Sequence, residues 1–137
     1  MGSQLSAAVL PFEGKKPVLP QNTHAFVSCR IEDEAHYLCA MLNSSLVNFL
    51  VRSYSVTGGK SFAPPHIMEY VKIARYDGSN ELHAELAELS KTCHRAAADG
   101  DCGLLAAAQA DLDRLAAGCF PISAGLLLLI KKTLNET

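Results

Sequence analysis

Apolar residues recur every three or four positions through the second half of the chain, which is the spacing of one face of an α-helix. Three such stripes follow one another, separated by short turn-forming runs at residues 99–101 and 118–121. The stripes are Leu82, Leu86, Leu89, Cys93 and Ala96, then Leu105, Ala108, Leu112 and Leu115, and then Leu126, Leu127, Leu129, Ile130 and Leu134. Because helices joined by short loops pack antiparallel, this half of the chain predicts a helical subdomain.

Capping residues and glycine predict where these three helices begin and end. Ser79 or Asn80 can cap the first helix, because a short polar side chain can accept a hydrogen bond from a free backbone N–H group. Gly100 lies where that helix should stop. The second helix should cover about residues 103–117, and Ser123 can cap the third.

Another helical stripe runs from Leu38 to Leu50, after acidic residues at positions 32–34 that favour a helix N-terminus. The residues at positions 43–45, Asn-Ser-Ser, interrupt this stripe. Since these side chains compete for backbone hydrogen bonds, the sequence predicts a kink or a break into two helices. Gly58 and Gly59 end the helical signal.

Two segments alternate residue types in the way that is typical of β-strands, namely residues 25–31 and residues 71–75. Prolines and a glycine in residues 1–23 leave room for only short extended pieces before them. We therefore predict an α+β fold. It would have a small strand-and-helix recognition lobe over residues 1–76, followed by an antiparallel helical lobe over residues 77–137.

The composition is that of one globular domain or of part of a larger protein: 137 residues, 49% hydrophobic and 19% charged. The apolar run at residues 124–130 is far shorter than the roughly 20 residues needed to cross a bilayer. No signal peptide can be read at residues 1–3. Five cysteines, an odd number without a Cys-x-x-Cys pair, are typical of a reducing compartment. We therefore expect a cytoplasmic protein without a membrane span.

Basic residues concentrate in the first half of the chain, although the net charge is -2. Up to Tyr76 there are seven lysines and arginines against five acidic residues, and from Asp77 onward there are five against nine. A mildly basic half joined to an acidic half suggests that one part faces a polyanion and the other faces protein or solvent.

The Thr-Gly-Gly-Lys-Ser run at residues 57–61 invites comparison with a phosphate-binding P-loop. The comparison fails, because the first glycine of that motif would have to lie at position 54, which is Tyr54. Two glycines with exposed N–H groups and the cation of Lys60 can still approach a phosphate closely. A helix C-cap followed by a surface turn explains the same residues equally well.

No catalytic constellation can be found in the sequence, which contains neither a Gly-x-Ser-x-Gly elbow nor a His-Glu-x-x-His motif. We expect the histidines at positions 36, 66, 83 and 94 to be ordinary surface residues, and Tyr37 and Tyr54 to be core residues. A zinc site built from His83, Cys93 and His94 does not match a known ligand spacing. We therefore predict no catalytic residue and no metal ligand, and metal analysis of the purified chain would test the alternative of a metal- or cofactor-dependent enzyme.

Several runs of residues together resemble the C-terminal target-recognition region of N6-adenine DNA methyltransferases from bacterial type II and type IIG restriction-modification systems. The matching positions are Tyr37, the Leu-Asn-Ser run at residues 42–44, the Lys-Ile pair at residues 72–73 and the helix at residues 83–91. Ala74 stands where the family usually has proline. The tail of the chain is similar to the closing helical hairpin of that family, and the resemblance covers about residues 15–137.

The resemblance implies a part of an enzyme that binds duplex DNA and positions it for a methyltransferase catalytic domain in the same polypeptide. The Asn-Pro-Pro-Tyr type motif and the S-adenosylmethionine loop of that catalytic domain are absent from this sequence. We therefore expect no cofactor in this chain, with S-adenosylmethionine bound only by the separate catalytic domain. The expected phosphate contacts are Lys15, Lys16, Arg52, Lys60 and Lys72, and the expected base-proximal residues are Ser61, Phe62 and His66.

A protein-interaction or oligomerisation module is the alternative interpretation of the same sequence. In that case the acidic helices bind a partner, there is no contact with DNA, and the Thr-Gly-Gly-Lys-Ser run is only a turn. The two interpretations differ in whether Arg52, Lys60, Lys72 and Arg75 converge on one face.

Overall fold

The computed structural model describes residues 4–11, 14, 25–54, 71–120 and 123–136. Within these ranges the chain forms five α-helices and no β-strand. The helices are α1 (Glu32–Asn43), α2 (Ser45–Tyr54), α3 (Glu81–Asp99), α4 (Cys102–Gly118) and α5 (Ala124–Glu136).

The predicted α+β class is therefore wrong, because both predicted strands lack strand structure. In residues 25–29 the alternation buries neither face, since Phe26 and Val27 are 71% and 77% exposed. Residues 71–74 keep their alternation, with Val71 buried and Lys72 exposed, but this segment packs on helices. The Tyr37 hydroxyl donates to the Ala74 carbonyl at 2.9 Å, where a second strand would have supplied a backbone N–H group.

The larger hydrophobic core lies between α1, α3 and α4. Its fully buried members are Tyr37, Ala40, Met41, Leu86, Ala87, Leu112 and Ala116. These residues come from both predicted lobes, and the lobe boundary at residue 76 stays a prediction. None of the helices in the described ranges is both long enough and apolar enough to cross a membrane.

The predicted break between the first two helices is confirmed at Ser44. This residue has an extended backbone (φ -67, ψ 147), and its hydroxyl donates to the Met41 carbonyl at 2.7 Å. The same oxygen accepts a hydrogen bond from the Val47 N–H group at 3.3 Å. The serine side chain thus binds free backbone groups on both sides of the break, which is the competition that its position predicted.

The ends of α3 and α4 also follow the predicted capping signals. The Asn80 side chain accepts from the Leu82 N–H group at 3.0 Å, and Gly100 takes a left-handed conformation (φ 70) directly after α3. At the far end of the pair, a Cβ added to Gly118 would lie 3.6 Å from the Leu82 side chain. The start of α3 therefore lies beside the end of α4, which confirms that these two helices are antiparallel.

A second, smaller cluster joins α2 to the extended segment at residues 71–73. Val47, Val51 and Val71 are buried there, and Leu5 packs against them. The helix α5 lies beside α2 and buries Leu127 and Ile130. Ser123 accepts from the Leu126 N–H group at 3.2 Å, as predicted for the cap of this helix.

Candidate functional site

The predicted DNA-contact residues are only partly within the described residues. Arg52 and Lys72 are described, whereas the other predicted contacts lie outside the described ranges; these are Lys15, Lys16, Lys60, Ser61, Phe62 and His66. For this reason the predicted convergence of Arg52, Lys60, Lys72 and Arg75 on one face stays a prediction.

In the sequence, the two described residues lie on either side of residues 55–70, which contain the Thr-Gly-Gly-Lys-Ser run. Arg52 follows Val51 in α2, Lys72 follows Val71, and the two valines belong to the same buried cluster. The α2 turn that holds Arg52 therefore packs against the extended segment that begins at Val71. Lys72 is exposed in that segment, and Arg52 is half-buried.

Arg52 is held by the end of the neighbouring helix α5. Its guanidinium donates to the Leu134 carbonyl at 3.4 Å, and a cation in the last turn of α2 is also favoured by the negative end of the helix dipole. Carbonyl groups near the end of α5 lack helical partners, so they accept such donors readily. These contacts orient Arg52 towards a groove.

The groove has a volume of about 950 Å³ and lies between residues 4–8, α2, the α4 face and the last turns of α5. Its lining contains both apolar and polar side chains, and the polar ones include Asn48, Arg52, Gln109, Asp113, Lys131 and Asn135. The cation of Lys131 is already paired, since its Nζ atom lies 3.2 Å from Asp113 Oδ2. Arg52 also lines the groove, and its guanidinium has no carboxylate partner among the described residues.

The buried carboxylate of Asp113 lines this groove and connects α4 to α2 and α5. It accepts hydrogen bonds from the Ser45 N–H group and the Ser45 hydroxyl, both at 2.7 Å, and pairs with Lys131 of α5. Asp113 is 5% exposed, and its partners supply the hydrogen bonds and the positive charge that a buried carboxylate requires. Sequence reasoning missed this contact, which spans 68 positions between α2 and α4.

Two of the described histidines, His36 and His83, contradict the expectation of ordinary surface residues, whereas His94 is half-buried. His36 and His83 are 7% and 6% exposed. His36 Nδ1 lies 3.0 Å from the Ser90 hydroxyl, and the His36 and His94 rings meet edge to face with centroids 5.0 Å apart. Burial lowers the pKa of His36, and the nearby His94 ring lowers it further. In the sequence, the burial of His36 and His83 could have been predicted only from the apolar residues that neighbour them on the same helix face.

The two tyrosines that we expected in the core behave differently. Tyr37 is fully buried, as predicted, and burial raises its pKa to about 12, so that its hydroxyl remains a donor to the Ala74 carbonyl. Tyr54 is 50% exposed, which contradicts the prediction. It occupies the last position of α2.

Residues able to bind metal or act as nucleophiles do not assemble into a reactive cluster in the described part of the chain. No group of three or more histidine, cysteine, aspartate or glutamate residues is arranged there to hold a metal ion. His83 accepts a hydrogen bond from the Asp77 N–H group at 3.1 Å, instead of facing Cys93 and His94. Burial raises the pKa values of Cys39, Cys93 and Cys119, which disfavours their thiolate forms.

Comparisons of the chain with protein-family models, with curated proteins and with solved structures found no match.

Proposed function

We propose that this chain is the DNA-binding, target-recognition part of an adenine-specific DNA methyltransferase in a bacterial restriction-modification system. It would hold duplex DNA in the cytoplasm while a catalytic domain in the same polypeptide, which binds S-adenosylmethionine, flips and methylates an adenine. The proposal rests on the sequence resemblance and on the geometry around Arg52.

One structural observation supports it: the packing of Val51 on Val71. These residues are 20 positions apart in sequence, and each is followed by a cation, Arg52 or Lys72. The shared cluster brings the backbone that carries Arg52 near the backbone that carries Lys72. A DNA duplex presents closely spaced phosphates, so cations grouped in this way can contact neighbouring phosphates along one groove.

The proposed contacts divide into two kinds. The cations Lys15, Lys16, Arg52, Lys60 and Lys72 would bind phosphates and set the position of the duplex. Ser61, Phe62 and His66 would lie near base edges, where a hydroxyl and an imidazole can donate or accept hydrogen bonds and a phenyl ring can pack on a thymine methyl group.

Removal of the charge at Lys72 and at Lys60 tests the proposal. Lys72→Ala and Lys60→Ala should each weaken binding to a fluorescein-labelled duplex of mixed sequence. Each should also flatten the slope of log K against log salt by about 1, because one phosphate contact is lost. The matched control is Lys132→Ala, which removes an exposed lysine from α5. Fluorescence anisotropy at several salt concentrations measures both quantities.

Two results would contradict the proposal. In the first, the wild-type chain binds no duplex at low salt, where phosphate contacts are strongest. In the second, Lys60→Ala and Lys72→Ala retain the wild-type salt slope, or lose no more affinity than Lys132→Ala does.

An oligomerisation module is the second candidate, and one feature of α5 favours it. Leu126, Leu128 and Leu129 are 43%, 70% and 58% exposed, while Leu127 and Ile130 on the same helix are buried. A second copy of the chain could cover these three leucines. In that case Leu128→Glu should convert an oligomer into a monomer in sedimentation experiments, whereas a wild-type chain that sediments as a monomer would eliminate this candidate.

A further inference from the structure

The segment at residues 4–11 lies on the helices with every second residue facing inward. Leu5, Ala7 and Val9 are half-buried, whereas Gln4, Ser6, Ala8 and Leu10 are exposed. This period of two is the pattern of an extended chain lying on a surface. The surface consists of α1, α2 and α3, and no β-strand is among the described residues.

Three side chains on those helices accept hydrogen bonds from the inward-facing backbone N–H groups. Leu5 N–H donates to Asn48 Oδ1 at 2.8 Å, and Ala7 N–H donates to Asn43 Oδ1 at 2.8 Å. Val9 N–H donates to His94 Nε2 at 3.1 Å. The spacing along the segment is therefore two residues between successive bonds, as it is along one edge of a β-strand.

The Asn43 amide both accepts a hydrogen bond from the backbone of the segment and donates one to it. While its oxygen accepts from the Ala7 N–H group, its nitrogen donates to the Ala7 carbonyl at 2.8 Å. This pair of bonds satisfies the donor and the acceptor of one residue, which is what a neighbouring strand would do. None of the bonds involves a side chain of the segment, so most of the recognition depends on the main chain and not on sequence. Leu5 adds an apolar contact with the Val47, Val51 and Val71 cluster.

The helices themselves orient two of these acceptors. The Asn48 nitrogen donates to the carbonyls of Leu42 and Ser44 at 3.3 and 3.2 Å, which turns the amide oxygen away from the helix. His94 Nδ1 donates to the Ser90 carbonyl at 2.7 Å, which leaves the lone pair of Nε2 facing the segment. The acceptors are therefore already in position for a backbone N–H group, whichever chain provides it.

We propose that Asn43, Asn48 and His94 form a binding site for an extended peptide backbone, and that residues 4–11 are its displaceable occupant. The ligand class is a peptide that presents N–H groups at positions i, i+2 and i+4, with an apolar side chain at position i. A peptide with the sequence of residues 4–11, supplied from outside, occupies the same site once the resident segment has been weakened.

A free peptide has to compete with residues 4–11 of the chain itself, and the experiment must allow for this competition. A tethered segment acts at an effective concentration on the order of millimolar, so a free peptide cannot displace it at lower concentration. Ala7→Pro in the full chain weakens the resident segment, because proline has no N–H group to donate to Asn43. The matched control is Ala8→Pro, since the Ala8 N–H group makes no hydrogen bond within the described residues.

Cys39 reports whether the site is covered. Its side chain is 4% exposed, and its thiol donates to the Ala7 carbonyl at 3.4 Å, so the segment shields it. Loss of one hydrogen bond of ordinary strength changes a local opening equilibrium by up to about tenfold. Ala7→Pro should therefore speed alkylation of Cys39 by iodoacetamide by up to about tenfold, as read by mass spectrometry. Cys119 is half-buried against the core between α1, α3 and α4 and does not line the groove beside residues 4–8, so it is the internal control and should react at the same rate in every variant.

The free peptide completes the test. A fluorescently labelled peptide of residues 4–11 should bind the Ala7→Pro chain, and the unlabelled peptide should return Cys39 alkylation to the wild-type rate. Wild type and Ala8→Pro should bind the peptide at least about tenfold more weakly, because their resident segment competes.

Three results would overturn the proposal. Cys39 reacts equally fast in wild type and Ala7→Pro; or Ala8→Pro behaves like Ala7→Pro; or Cys39 becomes reactive but the peptide neither binds nor restores protection. If Ala7→Pro lowers helix content by circular dichroism, Val9→Pro replaces it. That variant removes only the bond to His94 and is judged by the same three results.

Discussion

The Asp113 carboxylate caps the helix that begins at Ser45, accepting from both the N–H group and the hydroxyl of that residue at 2.7 Å. A residue from one helix thus binds the first N–H group of another, and Lys131 from a third helix balances the charge of Asp113. Together with the Ser44 hydroxyl, which accepts from the Val47 N–H group, this contact satisfies free backbone donors at the start of α2, directly after the break.

Asp113→Ala should lower the free energy of unfolding by about 2–4 kcal/mol, because it removes a helix cap and leaves Lys131 without its buried partner. Urea denaturation followed by circular dichroism measures the change. The matched control is Asp111→Ala, two positions earlier on α4, where an exposed carboxylate pairs with the exposed Arg114. That variant should change stability by less than about 1 kcal/mol, and equal effects of the two substitutions would contradict the capping role.

Two glycines near the turn between α3 and α4 should respond to alanine with opposite signs. Gly100→Ala should destabilise the protein by about 1–2 kcal/mol, since Gly100 has a φ of 70° and a Cβ atom is strained there. Gly103 lies in the first turn of α4, and an added Cβ would come no closer than 3.6 Å to Asp101. Gly103→Ala should therefore stabilise the protein by up to about 1 kcal/mol. Thermal unfolding of both variants tests the prediction, which a stabilising Gly100→Ala would contradict.

Acid should destabilise the protein through His36. Burial lowers the pKa of His36 in the folded state, and the nearby His94 and Lys91 lower it further. Glu32 and Asp33 raise this pKa, but their effects are smaller than that of burial. Because the unfolded chain then binds a proton more readily than the folded one, this contribution is fully present above the ordinary histidine pKa of about 6.5. It should be lost as pH falls through that value towards the lowered pKa of the folded state.

The measurement is the urea midpoint between about pH 8 and pH 5, a range that spans the ordinary histidine pKa. His36→Gln should show a smaller loss of stability over this range than wild type, because the titrating group is gone. The carboxylates titrate in both proteins, so the difference between the two curves isolates His36. Superimposable curves would show that His36 does not carry the effect.

The sequence predicted the helices well because the signals for a helix are local. Asn80, Gly100 and Ser123 each act within one turn of their own helix, and the structure has them where the capping pattern indicated. The break at Ser44 was predicted for the same reason, since the serine binds backbone groups only three residues away on either side.

The candidate site was less predictable. Arg52 and Lys72 could be named from the sequence, but the packing of Val51 on Val71 that joins their positions could not. The contacts of residues 4–11 with Asn43, Asn48 and His94 span between 36 and 85 positions. In the sequence, the asparagine at position 43 indicated only a helix break, because nothing local shows that its amide faces a distant segment.

The order of residues alone determined where this chain turns helical and where each helix stops, because apolar spacing and caps act over one or two turns. Tertiary structure decided the rest. Residues 25–31 and 71–75 have alternating patterns, but a strand exists only when another strand accepts and donates its backbone hydrogen bonds. In residues 71–75 a helix supplies such a partner instead, since the Tyr37 hydroxyl of α1 donates to the Ala74 carbonyl. The lack of a partner strand, and not the local pattern, therefore leaves the described part of this protein without a β-sheet.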